Sequence, residues 1–352
     1  MVPTLSSGRH FLSDNASGAH PRVLEAMVSA NQGHEAAYGN DRFSDRARSR
    51  FREIFGDDTQ IHWCFGGTGA NVMALASVLR FHDAVVCANT AHIVDSETGA
   101  PERVLGAKLI AAPTVGGKMS PETLEPLLAD PGSVHAVRPR ILSVTQATEF
   151  GTVYSAEELR ELCACGHRAG VLVHLDGARI ANAAAALGLG LRAATRDLGV
   201  DILSFGGTKN GLVSAESVLF FGDHVAPEAG AVLKQVTQLP SKSRFIAAQY
   251  CAYLEDELWR EMAVHANRCA RRLADGFETL EGYALHAPAD ANMVLVESSA
   301  ERLQRLKKRV AFHFWNRDCT VARMVCSFDH SEADISETLE FAARLSDVHR
   351  EA

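Results

Sequence analysis

The sequence predicts an α/β protein in which helices cover both faces of a mostly parallel sheet and a smaller α+β domain follows. The first observation is that short apolar strands alternate with amphipathic helices from residue 60 to about residue 220. The second is a change beyond residue 240, where helical residues dominate and two later strands flank a helix. A chain of 352 residues is long enough for two domains.

The individual elements follow from ordinary strand and helix signals. Ser120 and Pro121 are typical of a helix N-terminus, and Ser155 with Glu158 forms a capping box for a helix that reaches about Arg168. Apolar runs predict strands, and apolar-faced or small-residue stretches predict further helices. The predicted strands are 61–65, 84–87, 108–112, 141–145, 171–175, 200–203, 216–221, 292–297 and 320–325. Further helices are predicted at 70–80 and 181–187, and helical residues dominate from 245 to about 280.

Composition and charge limit the possible partners. The net charge is -8 and the basic residues are scattered, so we expect no nucleic-acid partner. Residues 1–10 contain no apolar secretory segment, and no apolar run is long enough to cross a bilayer. We therefore expect a cytoplasmic protein with no membrane partner.

The eight cysteines are spread over the whole chain and several lie in apolar stretches, which predicts reduced, structural thiols. The segment Cys163-Ala164-Cys165-Gly166-His167 suggests a metal site as an alternative. It lacks the two-residue spacing and the second ligand pair of zinc sites, so we expect no metal.

Lys209 is the most informative residue, because it follows a short apolar strand in the turn Ser204–Gly211. The preceding strand ends at Asp176, some thirty residues upstream. Pyridoxal phosphate requires a lysine that forms a Schiff base and a carboxylate that pairs with the pyridine nitrogen. A lone lysine in such a turn would usually lie at the surface, so the prediction depends on its companions.

Other polar residues follow neighbouring strands and should meet at the same sheet edge, where ligands bind in open α/β sheets. Gly67 and Thr68 open a helix and could bind a phosphate with backbone N–H groups. His92 could stack on an aromatic cofactor or transfer protons, and segment 146–149 and Arg179 follow two further strands. A nucleotide-binding oxidoreductase is the alternative, but the glycine spacing is not G-x-G-x-x-G and no acid ends the next strand.

Together these motifs resemble the L-threonine aldolases, in the β-eliminating lyase group of fold-type I pyridoxal phosphate enzymes. The chain is most similar to the bacterial low-specificity threonine/phenylserine aldolase branch. The resemblance runs nearly end to end, through residues 12–15, 33–41, 67–71, 90–92, 145–149, 176–179 and 205–211.

The resemblance implies a role for each site residue. The catalytic group comprises Lys209, His92, Asp176 and Glu97. The cofactor would be bound by Lys209, Asp176, His92, Gly67, Thr68, Thr208 and Arg244. The substrate, through its carboxylate above all, would contact Ser13, Asn15, Arg179, Arg323 and Tyr38. Tyr38, Lys242 and Arg244 would serve the neighbouring subunit's site in a homodimeric catalytic unit, itself part of a tetramer.

The implied activity is retro-aldol cleavage of β-hydroxy-α-amino acids such as L-threonine, L-allo-threonine or phenylserine to glycine and an aldehyde, through an external aldimine and a quinonoid. Another β-eliminating lyase, or a glycine-dependent aldolase with a different Cβ substituent, is the alternative. A non-catalytic pyridoxal phosphate protein is disfavoured, because mere binding needs no carboxylate clamp. We expect residues 1–20 to contribute to the active site, residues 21–245 to form the cofactor-binding domain and residues 246–352 to form the small domain.

The chain departs from the family at one loop. Other threonine aldolases place a histidine where this chain has Thr148-Glu149-Phe150. The resemblance therefore leaves the base for the substrate hydroxyl open, with His92, directly or through a water positioned by Glu97, as the candidate.

Overall fold

The computed structural model describes residues 10–222 and 225–347, so residues 1–9 of the expected N-terminal segment lie outside the described part. A seven-stranded sheet is followed along the chain by a four-stranded antiparallel sheet. Within the described ranges no helix is both long and apolar enough to span a membrane.

The elements alternate as the sequence predicts. In chain order they are α1 Pro21–Ala30, α2 Arg42–Phe55, β1 Thr59–Cys64, α3 Gly67–Ala76, β2 Asp83–Ala88, α4 His92–Asp95, α5 Ala100–Leu105, β3 Lys108–Ala112, α6 Pro121–Leu128, β4 Arg138–Thr145, α7 Ala156–Arg168, β5 Leu172–Gly177, α8 Ile180–Ala186, β6 Ile202–Gly206, β7 Glu216–Phe221, α9 Ala229–Gln235, α10 Arg244–Leu254, α11 Leu258–Glu278, β8 Tyr283–Leu285, β9 Met293–Ser298, α12 Ala300–Lys307, β10 His313–Phe314, β11 Val321–Val325 and α13 Glu332–Asp347. Short 3-10 helices lie at Asp14–Ala16, Arg196–Leu198, Thr208–Asn210 and Glu255–Glu257.

Two local predictions need correction. The helix expected at residues 70–80 is α3, which begins at Gly67 and ends at Ala76, because Gly66 in extended conformation already serves as its N-cap. The strand expected at 200–203 is β6, displaced by two to three residues toward the C-terminus, and Lys209 lies in a 3-10 helix rather than an open turn. As a result, Gly67 and Thr68 form the first turn of α3, and Lys209 follows the end of β6 by three residues.

The large sheet has the strand order β1-β7-β6-β5-β4-β2-β3, and the prediction of a mostly parallel sheet is confirmed. Only β7 runs against its neighbours, pairing antiparallel with both β1 and β6. Its direction has a simple cause, since segment 207–215 is shorter than the roughly twelve residues that a parallel crossover requires. Lys209 therefore lies in the connection of an antiparallel strand pair.

The core of the large sheet includes helices from well beyond residue 240. Phe51 packs edge-on against Phe205 of β6 and Tyr250 of α10, with ring centroids 5.5 and 5.1 Å away. Tyr250 also places its hydroxyl 2.9 Å from the Phe205 carbonyl oxygen and 3.1 Å from that of Ala215. Helix α10 thus fastens both ends of the connection that carries Lys209.

The second sheet, in the order β10-β11-β9-β8, builds the smaller α+β unit that the sequence predicts. Its apolar face packs against α11, α12 and α13 in a separate core cluster that also contains Phe11. The Phe11 N–H donates to the Ala311 carbonyl and the Phe11 carbonyl accepts from Val325 N–H, at 2.8 and 3.0 Å. The start of the described chain is therefore attached to this second unit.

The cysteines are all unpaired thiols. Cys163 and Cys165 are buried in α7, and His167 contacts the Asp201 carboxylate at 2.9 Å. Within the described residues no group of three or more His, Cys, Asp or Glu side chains is arranged to hold a metal ion.

Gly206 tests how tightly the end of β6 is packed. A Cβ atom at this position would lie 2.7 Å from both Cα and the carbonyl oxygen of Ala178. Because backbone cannot swing aside as a side chain can, we expect Gly206→Ala to lower the free energy of unfolding by about 1–3 kcal/mol in urea titration. Gly230→Ala is the matched control, since that helical site is open and alanine favours helix by up to about 1 kcal/mol. Equal stability of the two variants would contradict the packing described.

Candidate active site

Functional side chains from six segments meet at the carboxyl edge of the large sheet. They line one cavity whose wall consists of Gly67, Thr68, Ala70, Asn71, His92, Glu97, Glu149, Asp176, Ala178, Ser204, Lys209 and Glu216. This is the edge at which open α/β sheets bind their ligands. The structure thus brings together six of the residues singled out from the sequence: Lys209, His92, Asp176, Glu97, Gly67 and Thr68.

Hydrogen bonds to α10 and α11 fix the segment that carries Lys209. Asn210, the next residue, donates from Nδ2 to the Tyr253 hydroxyl at 2.9 Å and to the Trp259 carbonyl at 3.0 Å. Gly211 then turns the chain with φ +86°, a left-handed conformation that favours glycine. Since its neighbour is buried and doubly bonded, Lys209 extends into the cavity from a rigid base.

Asn71 on α3 joins two acidic groups of the site. Its buried amide donates one hydrogen to Asp176 Oδ2 at 2.9 Å and the other to Glu97 Oε1 at 3.0 Å. The second Asp176 oxygen accepts from Ala178 N–H at 3.1 Å. Both oxygens of the Asp176 carboxylate therefore have a hydrogen-bond donor and are held in one position. Asn71 is the last residue of the motif at residues 67–71, and the sequence alone predicted no role for it.

His92 begins α4 and contacts the same network. Its Nδ1 lies 2.8 Å from Glu97 Oε1, and the Glu97 side chain is completely buried. The hydrogen bond to Glu97 raises the pKa of His92 above its usual value, and Glu149 and Asp176 add to the effect, against the opposing influence of burial and Lys209. His92 therefore holds a proton more firmly than a free imidazole does.

Two arginines expected to bind the substrate come from the two units of the chain, Arg179 at the start of α8 and Arg323 on β11, and neither is among the residues that line the cavity. Arg179 forms a two-pronged ion pair with Asp14, from Nε to Oδ2 at 2.7 Å and from Nη2 to Oδ1 at 2.9 Å. Asn292 donates to Asp14 at 3.1 Å. Burial raises the pKa of Asp14, but the charge and hydrogen bonds of Arg179 outweigh it and hold that pKa below its usual range.

Arg323 on β11 lies beside this pair and donates from Nη1 to the Leu12 carbonyl at 3.4 Å. Burial lowers the pKa of Arg323, and the positive charge of Arg179 lowers it further. Two guanidinium groups near each other, one of them anchored by a carboxylate, favour an additional anion.

The N-terminus of α3 has room for an anion. Gly66 provides no side-chain cap, and the space beside Gly66 and Gly67 is open for 4 Å around an ideal Cβ position. Backbone N–H groups at such a terminus attract negative charge. Thr208, expected nearby, accepts from Ala215 N–H at 3.1 Å through its hydroxyl.

The remaining expected residues lie farther from the cavity lining. Ser13 caps the 3-10 helix Asp14–Ala16 by accepting from Asn15 N–H at 3.1 Å, and Asn15 itself is exposed. Tyr38 is half exposed with φ +60°, and Arg244 donates to the Gly33 carbonyl at 3.2 Å. In a single chain these residues do not line the cavity.

Sequence reasoning missed several members of the site. Three of them, Asp14, Asn71 and Glu149, belong to the family motifs at residues 12–15, 67–71 and 145–149. Their place in those motifs was the only sequence signal for a role in the site. Glu216, at the start of β7, enters the cavity because β7 runs antiparallel. Burial raises the pKa of Glu216 to about 7, against the lowering effect of Thr208 and Lys209.

These observations fit pyridoxal phosphate. The cavity offers a lysine amine, a buried aspartate and a helix N-terminus without a side-chain cap, and two guanidinium groups interact electrostatically with its lining residue Glu149. Glu97 Oε2 and Asn71 Oδ1 are buried, and neither has a hydrogen-bond partner among the described residues. In native proteins, buried polar atoms of this kind usually form a hydrogen bond with a bound group or with water.

The Asp14–Arg179 pair makes a stability prediction. Asp14→Asn should lower the free energy of unfolding by about 3 kcal/mol, because a buried guanidinium loses its charge partner. Urea titration measures this directly. In the control Glu53→Gln the exposed Arg50–Glu53 pair is lost, and the change should stay within about 0.5 kcal/mol. Similar losses in both variants would contradict the account.

The His92–Glu97 contact makes a pH prediction. Glu97→Gln should lower the pKa of His92 in an NMR titration of its ring, whereas Glu102→Gln on α5 should leave it unchanged. Because the folded state binds this proton more tightly than the unfolded chain, the pair stabilises the fold below the unfolded-state pKa, and the contribution disappears as pH rises through the folded-state pKa. An unaltered titration in Glu97→Gln would refute the contact.

Comparison with known proteins agrees with this geometry. The model of the beta-eliminating lyase family matches residues 10–301. A low specificity L-threonine aldolase of Pseudomonas aeruginosa is 40% identical over 335 residues, which cover 95% of this chain and 96% of that relative. These matches favour the lyase prediction over the oxidoreductase alternative.

Solved structures confirm the fold. The threonine aldolase of Leishmania major matches with a TM-score of 0.90 at 28% identity, over 96% of this chain and 99% of that one. An aspartate aminotransferase of Thermus thermophilus, at 17% identity, matches with a TM-score of 0.68 over 96% of this chain and 91% of its own, which shows the fold alone. The architecture is that of fold-type I pyridoxal phosphate enzymes, and the chain belongs to the beta-eliminating lyase family, with the low specificity L-threonine aldolases among its relatives.

Proposed function

We propose that this protein is a pyridoxal phosphate-dependent aldolase that cleaves L-threonine, L-allo-threonine or related β-hydroxy-α-amino acids such as phenylserine to glycine and an aldehyde. The observation that carries the proposal is the meeting of Lys209 and buried Asp176 in one cavity, with Arg179 and Arg323 close enough to interact electrostatically with the lining residue Glu149. The similarity to proteins named low specificity L-threonine aldolase supports it.

The residues that would hold the cofactor follow from their chemistry. Lys209 would bind its aldehyde carbon, Asp176 would pair with the pyridine nitrogen and His92 would stack on the ring. Gly67, Thr68 and Thr208 would bind the phosphate. Bound in this way, pyridoxal phosphate supplies an electron sink for the bond that breaks at Cα.

The chain's own groups would orient the substrate. Arg179 and Arg323 would bind the carboxylate, with Ser13 and Asn15 close by. Because Asp14 occupies the Nε edge of Arg179, the guanidinium is fixed in one orientation before substrate arrives. Such a clamp sets which Cα bond lies perpendicular to the cofactor ring, an orientation effect worth several kcal/mol in favourable cases.

His92 and Glu97 would control protons beside the ring. The buried Glu97 carboxylate holds the Nδ1 proton of His92, which leaves Nε2 as the nitrogen that can face a reactant. The buried network formed with Asn71 would keep this imidazole in one orientation during turnover.

Assembly and location belong to the same proposal. Tyr38, Lys242 and Arg244 would reach the neighbouring subunit's site in a homodimeric unit of a tetramer, and Arg244 would contact the phosphate there. The partial exposure of Tyr38 and Arg244 away from their own cavity supports this assignment. We place the protein in the cytoplasm and propose the division into segments 1–20, 21–245 and 246–352, with α10 packing across the second boundary onto the large sheet.

Lys209→Ala tests the function. We expect glycine production from L-threonine to fall at least about a thousandfold, as it does when a covalent nucleophile is removed elsewhere, with loss of the visible cofactor absorbance. The exposed Lys108→Ala is the control and should behave as the wild type.

Products decide between the proposal and its alternative. Purified, cofactor-loaded wild type should yield glycine and aldehyde from L-threonine, L-allo-threonine or phenylserine. Release of pyruvate and ammonia instead would indicate another β-eliminating lyase, and undiminished cleavage by Lys209→Ala would rule out the assigned lysine.

A further inference from the structure

Glu149 is a cavity residue without a role in the site as described so far. It follows β4 by four residues and lines the cavity together with Lys209 and His92. Its side chain is only partly buried. Its charge acts on His92, Arg179 and Arg323, so the carboxylate is within electrostatic range of the imidazole and of both guanidinium groups.

The loop that carries Glu149 is closed and rigid. Thr148 N–H donates to the Thr152 carbonyl at 2.9 Å, and the two threonine hydroxyls lie 2.7 Å apart. Gly151 turns the chain with φ +79° and donates to the Thr148 carbonyl at 2.9 Å. Catalytic groups require this kind of support, because a displacement of about 0.5 Å already impairs them.

Residues of the second unit also contact the loop that carries Glu149. The Phe150 ring packs edge-on against Trp315, with centroids 5.2 Å apart. Ala291 N–H donates to the Gly151 carbonyl at 3.2 Å. The side chains on either side of Glu149 are thus fixed, and the carboxylate is the group that the loop presents to the cavity.

The other acidic and basic groups of the cavity are already engaged. His92 keeps its proton through Glu97. Glu97 is completely buried behind it. Asp176 accepts from Asn71 and from Ala178 N–H. Glu216 is buried and hydrogen-bonded to Thr208.

We propose that Glu149 is the general base that removes the β-hydroxyl proton of the substrate during cleavage, an inference that rests on the proposed aldolase function. A substrate whose carboxylate is bound by Arg179 and Arg323 would place its Cβ within reach of Glu149, the carboxylate of the cavity lining that interacts with both arginines. The hydroxyl proton passes to the Glu149 carboxylate, the O–H electron pair forms the aldehyde C=O, and the pair of the broken Cα–Cβ bond stays on Cα. Protonation of Cα then completes glycine.

The test uses the cofactor-loaded enzyme and the isosteric variant Glu149→Gln. Loss of a general base costs about 10²- to 10⁴-fold, so kcat for L-threonine cleavage should fall at least a hundredfold with KM little changed. Exchange of the glycine Cα hydrogen with solvent, followed by NMR, needs no hydroxyl base and should continue at the wild-type rate. The exposed Glu157→Gln on α7 is the matched control.

A second variant separates chemistry from structure. Glu149→Ala should lose cleavage in the same way, and added formate should restore part of it, because a small carboxylate can enter the space that the side chain leaves. A merely structural role would not respond to formate. Unchanged visible absorbance in both variants confirms that the cofactor remains bound.

Several outcomes would overturn the assignment. Wild-type kcat in Glu149→Gln, or a change in KM alone, would mean that Glu149 only balances the arginine charges. Equal loss of cleavage and glycine exchange, without formate rescue, would mean that it supports the site structurally. Failure of the wild type to form glycine would instead contradict the proposed aldolase function. The experiment therefore distinguishes a wrong function from a wrong role for Glu149.

Discussion

The site depends on one shared buried amide, that of Asn71, which donates to Asp176 and Glu97 at once. Hydrogen bonds to charged acceptors contribute about 1.5–3 kcal/mol each, and leaving either carboxylate buried without its donor would cost more. The bond to Glu97 also sets the position of the carboxylate that holds His92. Through the Asn71 side chain, the Asp176 carboxylate and the His92 imidazole are thus fixed relative to each other.

The remaining groups are positioned by packing between the two units of the chain. Tyr250 and Asn210 tie the Lys209 connection to α10 and α11, while Phe11 ties the first described residues to the second sheet. The Asp14–Arg179 pair then joins that N-terminal stretch to the large sheet. Since the two arginines come from different sheets, the carboxylate site is complete only when the two units are packed together.

Much of this arrangement was predictable from the sequence, because local signals determine strand ends. The strands that lead to Gly67, His92, Asp176 and Lys209 lie within two to three residues of where apolar runs predict them, and parallel strands bring their carboxyl ends to one edge. The antiparallel direction of β7 follows from the short connection at 207–215, but the alternation of strands and helices alone does not indicate it. Glu216 was missed for that reason.

Other features depend on contacts that no local pattern encodes. The pairing of Asp14 with Arg179 joins residues 165 positions apart, and the bridge from Asn71 to Asp176 spans 105. Glu149 becomes a candidate base only once the structure shows that the other carboxylates of the cavity are already hydrogen-bonded. Motifs therefore predicted where the site lies, whereas tertiary packing decides which of its groups are engaged.

The most direct test of the account is to locate the covalent attachment of the cofactor. Cofactor-loaded protein would be reduced with borohydride, digested and analysed by mass spectrometry. The account predicts a reduced pyridoxyl adduct on the peptide containing Lys209 and on no other lysine. An adduct on a different lysine, or none, in protein that binds pyridoxal phosphate would contradict it.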